Sequence, residues 1–262
     1  MVSVTLEQLY GWMAQFLWPF VRMLALMGSA PVFGESSVPA RAKVGLAAVL
    51  TVAVAPAVGP LPDVSPGSLD GLWIVAQQVL IGVAMGLAMR MAFAAAQSAG
   101  ELVGLQMGLS FASFFDPATG ANTAVLARLM NILAVLVFLA VDGHLLMLAA
   151  LVHSFQALPI SAEPLAVGGW GVLVEWASQV LAAGLMLALP LITVLLTINL
   201  SMAILNRTAP QLSVFAVGFP ISLTVGLVLL AIVLPQTTPY LERLFEQSFQ
   251  VLDRLLNSLA GG

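Results

Sequence analysis

Six long apolar runs, divided by short clusters of proline, glycine and charge, set the pattern of this chain. The runs are Gly11–Val32, Val44–Gly59, Leu72–Gln97, Leu126–Leu158, Val172–Leu205 and Leu212–Leu234. A helix that crosses a bilayer needs about 20 predominantly apolar residues, so each run predicts a membrane helix, with the second the shortest. The dividers are chemically plain. Pro31, Gly34, Pro39, Arg41 and Lys43 lie between the first two runs, and Gly59-Pro60-Leu61-Pro62-Asp63 with Pro66-Gly67 follows the second. Pro159, Pro164, Gly168 and Gly169 follow the fourth, and Arg207 and Pro210 follow the fifth. Proline and glycine punctuate helices in this way because one lacks an N–H and the other has no backbone preference. No long polar linker interrupts the series, so residues 1–262 read as a single all-α integral membrane domain.

Two runs are longer than a simple crossing. As a straight helix Val172–Leu205 would extend roughly 50 Å against a hydrocarbon core of about 30 Å. Pro190 near its middle removes one helical hydrogen bond and favours a kink. Leu126–Leu158 has the same excess, with Asp142-Gly143-His144 near its middle. These two segments predict kinked or hairpin helices. The tail behaves differently. Between Tyr240 and Leu259, the residues Leu241, Leu244, Phe245, Leu252, Leu255 and Leu259 form a helical stripe, with Glu242, Arg243, Glu246, Asp253 and Arg254 mostly opposite. This is an amphipathic helix, 240–259. Its polar face is slightly acidic, whereas helices that lie on membranes favour basic ones, so the stripe is expected to dock on a partner helix.

Composition sharpens the class. Hydrophobic residues make up 61% of the chain and charged residues 8%, and the net charge is −4. The mean hydropathy is +1.06 and the pI is near 5.0. A soluble enzyme and a disordered chain are excluded as first readings, and so is a nucleic-acid binder, for want of any basic footprint. There is no cysteine, hence no disulfide, iron–sulfur cluster or thiol catalysis. Met1–Tyr10 carries no Lys or Arg, so the first run is expected to be retained rather than cleaved as a signal. Arg41 and Lys43 lie after the first run, Arg90 and Arg128 flank the region after the third, and Arg207 follows the fifth, which under the positive-inside rule places both termini outside and gives six spans.

Polar groups inside apolar segments are costly and by default mark function. Arg22, Glu101, Asp142, His144 and Arg207 are the candidates of this kind. Arg22 lies deep within the first run and needs an acidic partner or carbonyls, from this chain or from another subunit. No known catalytic pattern can be built from these groups. His-Glu-x-x-His is absent, His144 and His153 are nine apart, and no phosphate loop exists. Gly82 and Gly86, and then Gly100, Gly104 and Gly108, recur every four residues, the spacing that lets helix backbones meet closely. Directly after them come Ser110-Phe111-Ala112-Ser113-Phe114-Phe115-Asp116-Pro117 and Gly120. Pro117 and Gly120 oppose a continuing helix, and irregular backbone at membrane depth survives only inside protein or beside a cavity.

At these residues the chain resembles a known family. Gly104-Leu-Gln-Met-Gly-Leu-Ser-Phe111 with Phe115-Asp116-Pro117 looks like the centre of the FliR family of flagellar export-gate proteins. So do Asp142-Gly-His144 with Ser154-Phe155 and Pro159, Asn206-Arg207-Thr-Ala-Pro210-Gln211, Gly218-Phe219-Pro220, and Arg22 with Pro31-Val-Phe-Gly34. The resemblance covers essentially the whole chain. It implies a subunit of the core gate of flagellar type III secretion, in the bacterial inner membrane at the flagellar basal body. It implies assembly with FliP and FliQ around a pore, contact with FlhB, and passage of unfolded flagellar subunits. It also implies bent, hairpin-like helices and a plug loop over 107–122. By position the plug residues would be Met107, Phe111, Phe114, Phe115, Asp116 and Pro117.

The expectation is therefore a non-enzymatic gate component with no cofactor, no metal and no nucleic-acid partner, surrounded by lipid and partner subunits. The alternatives are a gate subunit of virulence secretion and, from another class, a small-molecule secondary transporter. Transporters usually carry internal repeats, and none is convincing here.

Overall fold

The computed structural model describes residues 6–109, 125–209 and 214–261. Among the described residues the chain forms seven α-helices: α1 Leu6–Ser29, α2 Ala40–Val54, α3 Leu69–Gln106, α4 Val125–Ala140, α5 Gly143–Ala157, α6 Gly168–Thr208 and α7 Val214–Leu259. A single 3₁₀ turn, Ala55–Ala57, extends α2. All six apolar runs fall on these helices. By length and composition, Ala40–Ala57, α3, α6 and the Val217–Leu259 part of α7 can cross a membrane, and the α4–α5 pair makes a fifth if it is one broken span. The first run is the exception to the six-span expectation. The middle of α1 carries Gln15, Trp18, Pro19 and Arg22, which lower its hydropathy below that of a crossing helix.

The two over-long runs resolve in different ways. Leu126–Leu158 breaks between Ala140 and Gly143, where Asp142 adopts the left-handed conformation with φ 55°. Asp tolerates that region better than most residues do, so the Asp-Gly step ends one helix and starts the next. Val172–Leu205 does not break: α6 runs for 41 residues with Pro190 inside it. The tail is likewise not a separate helix. It is the last part of α7, a helix of 46 residues that contains Pro220, Pro235 and Pro239.

The chain packs as two compact units. The first comprises Met1–Met91, Asp142–Ala177 and Glu246–Gly262, and the second comprises Ala92–Val141 and Ser178–Phe245. In the first unit Trp18, Met23, Leu26, Ile74, Ile81 and Met147 are among the buried side chains, and Trp176 Nε1 donates to the Ala88 carbonyl at 2.8 Å. The end of α7 belongs to this core, because Leu252, Leu255, Leu256 and Leu259 are all buried. Beside them the Ala166 N–H donates to the Leu259 carbonyl at 3.0 Å. The apolar stripe of the tail thus docks within its own chain, and the partner-helix expectation is corrected. In the second unit Ala99, Val103, Met107, Leu126, Leu191 and Leu195 form a continuous core. Phe93, Phe138 and Phe245 meet there with ring centroids 5.1–5.4 Å apart.

Candidate functional site

Arg22 carries the densest polar cluster of the first unit, and its surroundings follow from the local sequence. Pro159 has no N–H and cannot continue α5, so that helix ends at Ala157, with the Leu158 N–H closing on the Ser154 carbonyl. Arg22, which is 0% exposed, fills this end. Its Nη1 donates to the Ser154 carbonyl at 2.8 Å and to Ser154 Oγ at 3.1 Å. Its Nη2 donates to the Leu158 carbonyl at 2.9 Å, and its Nε to Gln78 Oε1 at 2.7 Å. The guanidinium also lies 4.3 Å from the centroid of the Phe155 ring. None of these partners is a carboxylate. The charge is met by the negative end of a helix dipole, by an amide, and by an aromatic face. The carbonyls that the sequence demanded come from this chain and not from another subunit.

Gly82 and Gly86 bring α3 onto α1 just beside this cluster. A Cβ at Gly82 would lie 2.5 Å from the Arg22 carbonyl, and one at Gly86 would meet Ser29 Oγ and lie 2.8 Å from the Ala30 nitrogen. Both close contacts involve backbone, so the glycines set the distance between the helices. Asp142 is exposed at the start of α5; its carbonyl accepts the N–H groups of Leu145 and Leu146, while its side chain makes no cap. His144 Nδ1 is buried without a hydrogen-bond partner among the described residues, and neither residue joins the Arg22 cluster.

In the second unit the glycine series divides by role. A Cβ at Gly100 would lie 2.5 Å from the Leu126 carbonyl, so α3 and α4 touch there, whereas at Gly104 it would meet only the Leu126 side chain at 3.9 Å. Gly108 follows α3 and caps it. Its φ is 78°, the Leu109 N–H bonds to the Gly104 carbonyl, and the Gly108 N–H bonds to the Leu105 carbonyl. These two bonds are those of a Schellman cap, which favours glycine because L side chains avoid this conformation. Met107 is fully buried and would collide with a Cβ on Gly226, so it is a core residue and not part of an open loop. Asn199 Nδ2 donates to the Gln106 carbonyl at 3.1 Å and its Oδ1 accepts from Ser222 Oγ at 2.9 Å, tying α6 and α7 to the end of α3. Glu101 is exposed, as is Arg207 in the last turn of α6, where a cation complements the dipole. Phe111, Phe114, Phe115, Asp116 and Pro117 lie outside the described residues.

Sequence reasoning missed Gln77, Gln78 and Ser222, and met Ser154 only as part of a family motif. The available signal was the Gln77-Gln78 pair inside an otherwise apolar run. Gln78 holds Arg22, and Gln77 Nε2 donates to the Glu163 carbonyl at 2.7 Å. Among the described residues no group of three His, Asp or Glu side chains is placed to hold a metal ion.

Helices of this length and apolarity, with polar groups spent on joining helices to one another, define an all-α, multi-pass integral membrane protein. The family of bacterial export proteins, family 1, matches residues 13–248. The chain is 49% identical over 259 residues to the flagellar biosynthetic protein FliR of Escherichia coli (strain K12), covering 99% of each chain. It is 50% identical over 260 residues to FliR of Pectobacterium carotovorum subsp. carotovorum, again over 99% of both. To FliR of Aquifex aeolicus (strain VF5) it is 28% identical over 258 residues, 98% of both chains. The chain belongs to the FliR family of flagellar export proteins.

Proposed function

We propose that this protein is a non-catalytic subunit of the flagellar type III export gate in the bacterial inner membrane. In this reading it assembles at the basal body with FliP and FliQ, contacts FlhB, and forms part of the channel through which unfolded flagellar subunits pass. The observation that carries the reading is the similarity to FliR proteins over 99% of the chain. It is supported by polar residues that serve helix packing. Energy for transport comes from elsewhere, since the sequence has no nucleotide-binding loop.

Within this reading the segment 107–122 is the plug loop, with residues 110–121 as its span beyond the end of α3. Large apolar side chains can close a pore by excluding water from a constriction, and Phe111 and Phe114 are the rings assigned to this. Met107, held in the core against Gly226, anchors one end of the segment. Deleting residues 110–121, or changing Phe111 and Phe114 to Ala, is expected to leave a gate that assembles with its partners but conducts ions. Assembly and conductance are measured in the same cells. Intact assembly without a leak refutes the plug, and loss of assembly makes the segment structural.

A further inference from the structure

Among the described residues, two that are not glycine have positive φ, Val32 and Asp142. Asp is a type that visits the left-handed region. Val32, at φ 61°, is not, and its branched Cβ makes this conformation an outlier. The hydrogen bonding agrees. The Phe33 N–H donates to the Pro31 carbonyl at 2.6 Å, which closes a γ-turn with Val32 at its centre. With positive φ at the centre, this is the rare and strained form of that turn. Glycine would adopt it without steric cost. The chain places glycine two residues later, at Gly34, but not here.

The strain is held from outside the turn. The Gly34 N–H donates to the Ala30 carbonyl at 2.8 Å. A Cβ on Gly34 would collide with that carbonyl and lie 2.9 Å from the Gly28 carbonyl, so the turn is folded tightly back on the end of α1. Ala30 is itself 1% exposed, and α3 meets it at Gly86, where a Cβ would lie 2.8 Å from the Ala30 nitrogen. On the far side Lys43 Nζ, in the first turn of α2, donates to the Glu35 carbonyl at 3.0 Å. Between these two clamps Glu35, Ser36 and Ser37 are exposed, so that stretch can shift without uncovering apolar core.

Strained backbone persists where the surrounding structure over-determines it, and it gathers at clamps and switch regions. We propose that Pro31–Gly34 is a latch with two settings. One is the clamped γ-turn. In the other, Val32 returns to negative φ, the connection between α1 and α2 lengthens, and α2 changes its seat on α1. The strain at Val32 brings the two settings closer in energy, so both stay accessible. The export-gate reading enters only in the last step, the use of the relaxed setting during transport.

Val32→Gly and Val32→Asn relieve the strain and favour the clamped setting, whereas Val32→Ile keeps a branched Cβ and with it the strain. The three are compared with wild type in the complete gate in native membranes. Amide hydrogen exchange at Gly34 reads opening of the turn, and secretion of flagellar subunits reads transport. The expected result is exchange about five- to thirtyfold slower in Val32→Gly and Val32→Asn, equivalent to about 1–2 kcal/mol of left-handed strain. Secretion falls in the same two variants, and Val32→Ile matches wild type in both measurements. Exchange at the wild-type rate in all three overturns the latch, because the strain then opposes nothing that opens. Slowed exchange with normal secretion overturns it as well, because transport then does not use the relaxed setting. Failure of both Val32→Gly and Val32→Asn to assemble also overturns it, because the Val32 side chain is then needed for packing. Secretion that survives deletion of this chain overturns the export-gate reading and leaves the two settings of the turn, which exchange reads alone.

Discussion

Replacing Arg22 tests whether its geometry or its charge is what the fold uses. Arg22→Met keeps much of the volume and removes every donor. The Ser154 carbonyl still receives the Leu158 N–H at 2.9 Å, and Ser154 Oγ still donates to the Leu151 carbonyl at 2.6 Å. The Leu158 carbonyl and Gln78 Oε1 lose the donors that reached them at 2.9 and 2.7 Å. A buried acceptor left unpaired costs about 1–3 kcal/mol. Two of them, offset in part because an expensive buried charge is gone, give a destabilisation of about 2–4 kcal/mol. That corresponds to a roughly 30- to 700-fold fall in the ratio of folded to unfolded chain. Arg22→Lys keeps the charge but has one compact ammonium in place of a planar fork. It cannot reach Gln78, Ser154 and Leu158 together, and it retains the desolvation cost. Lys is therefore expected to be no better than Met. The assay is the level of protease-resistant chain in membranes when it is co-expressed with its partners, read beside swimming. Wild-type behaviour of Arg22→Lys together with failure of Arg22→Met would mean that charge is what matters, which would restore an acidic partner from another subunit and refute this account.

The glycine contacts predict a ranking. Gly86→Ala meets the backbone of Ala30 and is expected to cost about 1–3 kcal/mol through overpacking, whereas Gly226→Ala meets the flexible end of Met107 and should cost less; equal yields of the two variants after mild heating in detergent would contradict the ranking. Gly108→Ala forces a side chain into the left-handed conformation, at about 1–2 kcal/mol, and should lower protease resistance without abolishing assembly. Leu252→Asp with Leu255→Asp puts charge into the core of the first unit, so the chain expressed alone should already be degraded; a stable chain that merely fails to bind partners would return the stripe to an intermolecular role. Asn199→Leu removes a donor to the Gln106 carbonyl and the acceptor for Ser222, and is expected to cost about 1–3 kcal/mol, measurable as faster proteolysis than in Asn199→Asp, which keeps the acceptor for Ser222.

What the sequence determined by itself is whatever depends on local composition. Long apolar runs bounded by proline and glycine fix helices in the right places, because propensity and hydropathy act within about 20 residues. The ordered motifs identify the family for the same reason: they are read in one dimension. The Asp-Gly step announced the break between α4 and α5. Tertiary structure decided what depends on distant partners. The sequence showed that Arg22 needed acceptors but not whether this chain or another subunit supplies them, because Ser154 and Leu158 are more than 130 residues away. Gly108 looked like a continuation of the packing series of Gly100 and Gly104, and only the backbone shows that it ends the helix. The tail stripe looked intermolecular because amphipathicity reveals that a face must be covered and not what covers it; the cover includes Gly169, against which the Leu259 side chain is packed. Pro190 promised a kink or a hairpin, and only the structure shows that α6 continues through it as one helix, because the surrounding hydrogen bonds and packing, not the proline alone, determine whether a helix stops.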